Sequence, residues 1–420
     1  MKHIGVLESN LSGSGFDALR VAKELGLRVT FFTSGMDRYL AVPGGGRYFD
    51  EYVDEIVPCE TKDLGPAMAG VRAVHADRPF SGFLSLAEYE VVVAAQIATE
   101  LGLPSPDPDG VATARNKAHM RRRCAAYGVP MPAFRAVDSA DAAAAAAAEV
   151  GLPCVVKPAD ETSSLDVRRC TTLDEVVEHF HAIVGKPENL RGQRRHPEIL
   201  VEECVAGYEV SVEVLATGTA FRVLGVTDKT VGGHNRFVEL GHLFPSLLPE
   251  RVRRSCERVA VDALRAVGFD LGLAHVEVKY GAGGPKLVEA NPRPAGGKIT
   301  ELLDRSLGIS CLELVVRQYL GEHVDPELPA PRRGAAIRYL TADPGVVTSV
   351  TGTDVAAAVP GVREAVVAVR PGDRVRPLRR NEDRIGHVLA VADDGYLAAR
   401  IAEAGVHEIA VLTDGSGEAP

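Results

Sequence analysis

No stretch of this 420-residue chain holds the roughly 18–20 consecutive apolar residues that a membrane-spanning helix needs. The opening Met1-Lys2-His3-Ile4-Gly5-Val6-Leu7 is too short and too polar for an export signal, so the cytoplasm is the expected location. The seven cysteines (Cys59, Cys124, Cys154, Cys170, Cys204, Cys256, Cys311) stand singly, without a CxxC pair or other ligand-like spacing. That argues against a disulfide framework and against zinc, and it fits buried thiols in a reducing compartment. Basic residues do not dominate. The formal charge is −10, and the weak Arg/Lys clusters at 186–195 and 374–380 read as solvated loops, so neither nucleic acid nor a membrane is an expected partner. Internal repeats are also missing.

What is present is a globular composition, 46% hydrophobic, in a chain too long for one ordinary core. The first hundred residues alternate strand (4–7), helix (16–25), strand (28–33), strand (82–84) and helix (88–101), a pattern that predicts a Rossmann-like parallel sheet. The segment Pro104-Ser105-Pro106-Asp107-Pro108-Asp109 breaks it. A basic helix over 115–127, an alanine helix over 142–148 and short strands at 154–157 and 199–202 follow, with a polar insertion (186–197) between the strands. Strands at 209–214 and 221–227 and a long helix at 249–267 come next. Past a Pro-rich linker at 325–333, the remainder reads as a small α+β domain with a helix at 397–404. The expected division is 1–110, 111–205, 206–330 and 331–420, of mixed α/β and α+β class.

The chemistry concentrates in His275-Val276-Glu277-Val278-Lys279, a glycine-rich turn, and Leu287-Val288-Glu289-Ala290-Asn291-Pro292-Arg293. Strand alternation puts His275, Glu277 and Lys279 on one face, and Leu287, Glu289 and Asn291 on one face of the returning strand. A register centred on Gly283 sets Glu277 opposite Glu289. Facing carboxylates repel unless a cation lies between them, and Asn291 adds a neutral oxygen, a set suited to Mg²⁺. Arg293 is placed to meet an anion beside the metal. The competing reading is a surface hairpin with scattered charges.

A second motif, Gly13-Ser14-Gly15-Phe16-Asp17-Ala18, fits the G-x-G-x-x-A turn of dinucleotide-binding proteins. The acidic residue expected after the second strand is absent there, where Phe31-Phe32-Thr33-Ser34 stands. The helix start could instead hold a substrate carboxylate or phosphate.

Four features precede the hairpin in order: Asn116-Lys117 with Met120 and Arg121; Val155-Val156-Lys157-Pro158; Asp160-Glu161-Thr162-Ser163-Ser164; and Leu200-Val201-Glu202-Glu203-Cys204-Val205-Ala206-Gly207-Tyr208-Glu209. With the hairpin, this ordered set resembles the ATP-grasp superfamily over about residues 1–410. The resemblance implies a three-domain ATP-grasp fold whose central and C-terminal lobes clamp ATP. It implies that Lys117 and Lys157 meet the phosphates, and that Ser163 and Ser164 lie on the loop over them. Glu202 would accept from the adenine amine, the backbone of Glu203 and Val205 would address the ring edge, and Glu209 would bind ribose. Glu277, Glu289 and Asn291 would hold one or two Mg²⁺, with Mn²⁺ as a substitute. The chain departs from the usual glycine-rich loop, since no Gly lies between Lys157 and Val167.

ATP-grasp enzymes mostly join a carboxylate to a nucleophile through an acylphosphate. Phe237-Val238-Glu239-Leu240-Gly241-His242-Leu243-Phe244-Pro245, the run from Pro292 to Ile299, and the region Asp383-Arg384-Ile385-Gly386-His387-Val388 resemble bacterial L-amino-acid ligases. That resemblance implies Arg293 on the transferring phosphoryl group, Glu239 on a substrate ammonium, and His242 near the acylphosphate. Gly296 and Gly297, opening the next helix, would bind a substrate carboxylate. The implied partners are a small carboxylate and an amine, by default amino acids, and the class implies a homodimer. Competing readings are a bicarbonate-using carboxylase, a phosphotransferase without an amine acceptor, and a nucleotide binder without turnover. Specificity is expected in loops 36–48 and 230–247.

Overall fold

The computed structural model describes residues 1–11, 14–42, 44–233, 236–324 and 328–416. Gly13, the first glycine of the G-x-G-x-x-A motif, lies outside the described residues, as do residues 43, 234 and 235 of the two expected specificity loops. The N-terminal strands form a parallel sheet in the order Glu55–Pro58, Arg28–Thr33, His3–Leu7, Gly82–Leu84. Every residue of His3–Leu7 is buried, as a central parallel strand covered on both faces requires. The helix expected at 88–101 is confined to Val91–Glu100. The Ser85 hydroxyl accepts from Ala87 N–H (3.1 Å) and holds the preceding residues in a turn, which leaves Glu88, Tyr89 and Glu90 facing a central cavity.

The basic helix expected over 115–127 is Lys117–Ala126, and a further short helix, Pro108–Arg115, precedes it in the segment read as a boundary. Asn116 sits extended between them, and its side-chain oxygen accepts from Ala118 and His119 N–H at 2.9 and 3.0 Å. This N-cap starts the second helix at Lys117 and fixes where that lysine points. A four-stranded antiparallel sheet follows, ordered Phe134–Val137, Ile199–Glu203, Cys154–Pro158, Arg168–Cys170. Helices Ala140–Val150 and Leu173–Val184 cover it, and the second begins in a capping box of Thr172 and Glu175.

The largest sheet has eight strands. It begins with the hairpin, continues through Tyr208–Thr217, Ala220–Gly232 and Val238–Phe244, and runs on without a break into Gly334–Leu340, Gly386–Ala392 and Val362–Val367. The segment 334–392 is therefore hydrogen-bonded into the same sheet as the hairpin. Helix Glu250–Val267 buries Val252, Cys256, Val259, Ala263 and Val267, at helical spacing, against one face. The opposite face is apolar where Leu215, Leu224, Leu273 and Ile337 pack toward the N-terminal domain, and polar where it lines the cavity.

The hairpin pairs Glu277 with Glu289 and His275 with Asn291, as expected from the sequence, by a different route. The turn is tighter, with Gly281 opposite Gly284, and a bulge between Glu277 and Val278 shifts the register by one residue. Leu287 therefore does not share the face of Glu289 and Asn291. It is fully buried in the core beneath, while Val288, Glu289 and Asn291 border the cavity.

Gly110 in helix Pro108–Arg115 touches the end of the long helix, where an added Cβ would lie 2.3 Å from the Gly268 carbonyl oxygen. Gly110→Ala is expected to cost about 1–3 kcal/mol and lower the melting temperature. Gly65→Ala, where nothing lies within 4 Å, is expected to leave it unchanged or slightly raised. Thermal melts of the two variants check this.

Candidate active site

A cavity of about 1020 Å³ opens between the three layers. All but one of the expected site residues border it: Lys117, Lys157, Ser163, Ser164, Glu202, Glu203, Val205, Glu209, Glu239, Glu277, Glu289, Asn291, Arg293, Gly296 and Gly297. The exception is His242, which is fully buried behind Gly297. A Cβ on Gly297 would come 2.8 Å from His242 Nε2 and 3.0 Å from the Tyr339 hydroxyl, so the glycine is what lets the chain pass over the ring. Among the described residues neither His242 ring nitrogen has a hydrogen-bond partner, although Nε2 lies 3.5 Å from Glu239 Oε2. Burial pulls the His242 pKa below its ordinary value.

At the centre is Lys229. Its Nζ lies 2.8 Å from Glu277, 2.9 Å from Glu239 and 3.1 Å from Glu209. Burial alone would favour its neutral form, but the three carboxylates override burial and raise its pKa well above the usual lysine value. Glu239 and Glu277 are correspondingly held well below the carboxylate range. Glu239, expected to meet a substrate ammonium, thus already holds one. Its main chain is clamped by Asn381, which accepts from its N–H at 2.9 Å, and by Arg384, which donates to its carbonyl at 3.1 Å.

The metal question turns on three neighbouring oxygens. Glu289 faces Glu277 and takes one cation, Lys117 at 2.8 Å. Asn291 is only 5% exposed, and its side-chain amide makes no hydrogen bond among the described residues. An orphaned amide oxygen beside two opposed carboxylates is a donor set that fits Mg²⁺.

Glu202 behaves differently from its expected role. Its carboxylate takes Arg121 Nε at 2.7 Å, Arg121 Nη2 at 3.2 Å and Lys157 Nζ at 2.7 Å. Burial would raise its pKa, but the Arg121 and Lys157 charges override it and bring it to about 2. Oε1 is thus engaged by Arg121, and Oε2 by Arg121 and Lys157. Glu203 donates its own N–H to Ala133 and pairs its carboxylate with Lys286 at 2.7 Å, whereas Val205 N–H makes no backbone bond among the described residues.

The loop lacking glycine adopts glycine-like conformations. Ser163, Ser164 and Asp166 have φ of 56°, 58° and 57°, each costing roughly 1–2 kcal/mol in a non-glycine residue. Ser164 Oγ donates to Phe237 O (3.0 Å), and Asp166 is tied to Lys186 and Arg195 at 2.5 and 2.9 Å. Arg293 is hydrogen-bonded to Glu88 and donates to Pro294 O at 2.9 Å. Glu88, read in sequence as helix, is thus the group that aims Arg293. At the other end Ser9, Asn10 and Leu11 border the cavity, and a Cβ on Gly15 would lie 2.4 Å from Ser9 Oγ. Away from the cavity, His119, His196 and Glu198 bring ligand atoms within 4.8 Å of one another, but Glu198 is engaged by Arg122.

His275 is expected to leave a signature in stability. Burial disfavours its charged form, but Glu213, 2.9 Å from Nδ1, outweighs burial and raises the pKa to about 9. With an unfolded value near 6.5, protonated His275 stabilises the fold fully below pH 6.5, by roughly 3 kcal/mol, and that contribution is lost as pH rises through 9. Urea midpoints in EDTA are expected to fall across this window in the wild type and to run flatter in His275→Gln.

Family comparisons agree with this geometry. Models described as ATP-grasp N-terminal domain, ATP-grasp domain, and L-amino acid ligase C-terminal domain 2 match residues 19–105, 150–301 and 338–414. The chain is 30% identical over 358 residues to the uncharacterized protein y4rH of Sinorhizobium fredii, covering 84% of this chain and 73% of that one. It is 28% identical to the D-alanine–D-alanine ligase of Acidovorax ebreus over 52% of this chain and 66% of the relative. The solved L-amino acid ligase from Bacillus licheniformis shares the fold over 99% of both chains, with a TM-score of 0.82 at 22% identity. Among the described residues no helix is long and apolar enough to cross a membrane. The chain belongs to the ATP-grasp superfamily of ligases, whose members generally use ATP with Mg²⁺ or Mn²⁺, and it carries a C-terminal domain of the L-amino acid ligase type.

Proposed function

We propose that the protein is an ADP-forming carboxylate–amine ligase, joining the carboxylate of an amino acid or other small acid to an amine. The observation that carries this reading is one cavity that gathers phosphate-binding lysines, an oxygen-only metal set, an aimed arginine, and a wall from the C-terminal domain. Tyr339, Asn381, Arg384 and His387 of that domain line the end of the cavity around Glu239.

The reaction runs in two steps. A substrate carboxylate oxygen attacks the γ-phosphorus of ATP, the bond to ADP breaks, and an acylphosphate forms. The amine nitrogen then attacks the acyl carbon, phosphate leaves, and the amine's extra proton passes to solvent or a nearby carboxylate. Lys117 and Lys157 meet the triphosphate as point charges held in place by Glu289 and Glu202. Arg293, held by Glu88, stabilises the charge on the phosphoryl group in transit and on the tetrahedral oxyanion. Glu239 receives the substrate ammonium in exchange for its contact with Lys229. His242 supports Glu239 and Gly297 from behind. Glu277, Glu289 and Asn291 would hold Mg²⁺, which when bound supplies neutralising charge at the phosphates. Adenine is addressed by the Glu203–Val205 backbone and ribose by Glu209. Closure of the central sheet over the cavity excludes water. The unpaired cysteines accord with a cytoplasmic enzyme, and a homodimer is the assembly we propose.

The reading is tested by phosphate release with ATP and Mg²⁺ across pooled amino acids and small acids, with product masses recorded in parallel. Phosphate and a condensed mass are expected only when acid and amine are both present. Release with bicarbonate alone, or a stable phosphorylated product without amine, would overturn it. Arg293→Ala is expected to abolish amide formation with little loss of ATP affinity. A variant that still condenses would remove the arginine from the mechanism.

A further inference from the structure

The two weak basic clusters of the sequence, at 186–195 and 374–380, meet in space. They border a second cavity, of about 590 Å³, between the loop Ser164-Leu165-Asp166 of the central lobe and the segment 374–383 of the C-terminal domain. Six cations line it: Lys186, Arg236, Arg374, Arg376, Arg379 and Arg380. Its two acids are already committed. Asp166 is paired with Lys186 and Arg195, and Asp383 with Arg376 at 3.3 Å and Arg380 at 3.6 Å, besides accepting from two backbone N–H groups. Arg236, Arg374 and Arg379 have no carboxylate partner among the described residues. Arg236 is under electrostatic strain as well, because burial and then the charges of Arg168 and Arg379 pull its pKa below the ordinary arginine value. Uncompensated guanidinium groups converging on a concave site lack one thing, an anion able to take several planar donors at once. Two sequence-distant segments, on separate lobes, border one hollow with these charges, Arg374 and Arg379 at its exposed side and Arg236 half-buried.

We infer that this cavity is a second anion site, selective for a phosphate-type dianion, formed by Arg236 of the eight-stranded sheet's loop and Arg374 and Arg379 of the C-terminal domain. It contains none of the metal set nor Lys117 and Lys157, but it shares Ser164, Leu165 and Arg380 with the main cavity. An anion here relieves the Arg236–Arg379 repulsion and bridges the C-terminal domain to the strained Ser163–Asp166 loop. The ligand is either free phosphate or a phosphate group carried by a substrate. Anion binding here is independent of turnover, and only its assignment to a substrate-borne phosphate rests on the ligase reading.

The test is calorimetric titration of the full-length protein with inorganic phosphate, at low and moderate salt. It compares the wild type, the Arg236→Gln/Arg379→Gln double variant, and Lys157→Met as a control for the main cavity, with melting temperatures confirming that each is folded. Phosphate is expected to bind the wild type and the Lys157→Met variant alike, with affinity at least about tenfold weaker in the double variant and falling with salt. Heat that persists in the double variant, or disappears in Lys157→Met, or is absent from the wild type, would overturn the proposal. Phosphoserine and serine as substrates separate the two sources. A KM advantage for phosphoserine that vanishes in the double variant assigns the site to a substrate-borne group, and phosphate binding without that advantage assigns it to the free ion.

Discussion

The cavity face of the large sheet is organised by one buried ammonium group. Lys229 stands on the strand Ala220–Gly232, and its three carboxylates come from three other strands, Tyr208–Thr217, Val238–Phe244 and Leu271–Gly281. The strand register puts Lys279, Glu209, Lys229 and His242 in one row across the sheet, so charges alternate where like charges would repel. Without the lysine, the three carboxylates would keep the longer contacts to Lys279, Arg384 and His275, at 3.5, 3.8 and 3.3 Å, and would repel one another in a largely buried setting. The residues around the metal set can be anionic and close together because this cation is there.

The same arrangement recurs around the cavity. Glu289 has Lys117, Glu202 has Arg121 and Lys157, Glu88 has Arg293 and Arg115, and Glu213 has His275. The charged groups expected to touch substrate are already paired with a protein group of opposite charge. Ligand binding is therefore an exchange of partners, in which an incoming phosphate or ammonium replaces an internal one. Such exchange avoids the large desolvation cost of meeting a bare buried charge, and it keeps side chains in their working rotamers beforehand.

Much of this was legible in the sequence because it is written in strand alternation and local spacing. The parallel N-terminal sheet and the hairpin with Glu277 against Glu289 follow from such local patterns, and most of the fifteen residues that border one cavity came from the resemblance to the ATP-grasp superfamily. The central place of Lys229 was not legible. A pairing with the nearby Glu239 can be read from the sequence, but the lysine's wider role comes from the strands that also bring Glu209 and Glu277 to it. Glu88 was hidden by a helical pattern that the Ser85 turn interrupts, and the break at Asn116 was masked by favourable helix composition on either side. The capping box at Thr172 and Glu175 was readable and marks a helix that apolar periodicity alone did not suggest. The basic segments at 186–195 and 374–380 looked like isolated solvated loops because only the tertiary fold brings them together.

The hairpin bulge carries a consequence for how such a site can change over evolutionary time. The register shift lies between the turn and the paired carboxylates, so the strand segments on its two sides are in different phase. Residues can be gained or lost in the Gly281–Gly284 turn, with the shift absorbed at the bulge, while Glu277 stays opposite Glu289. Loop length in this region is thereby free to drift under selection for substrate access or partner contacts, and the geometry of the chemistry is inherited unchanged.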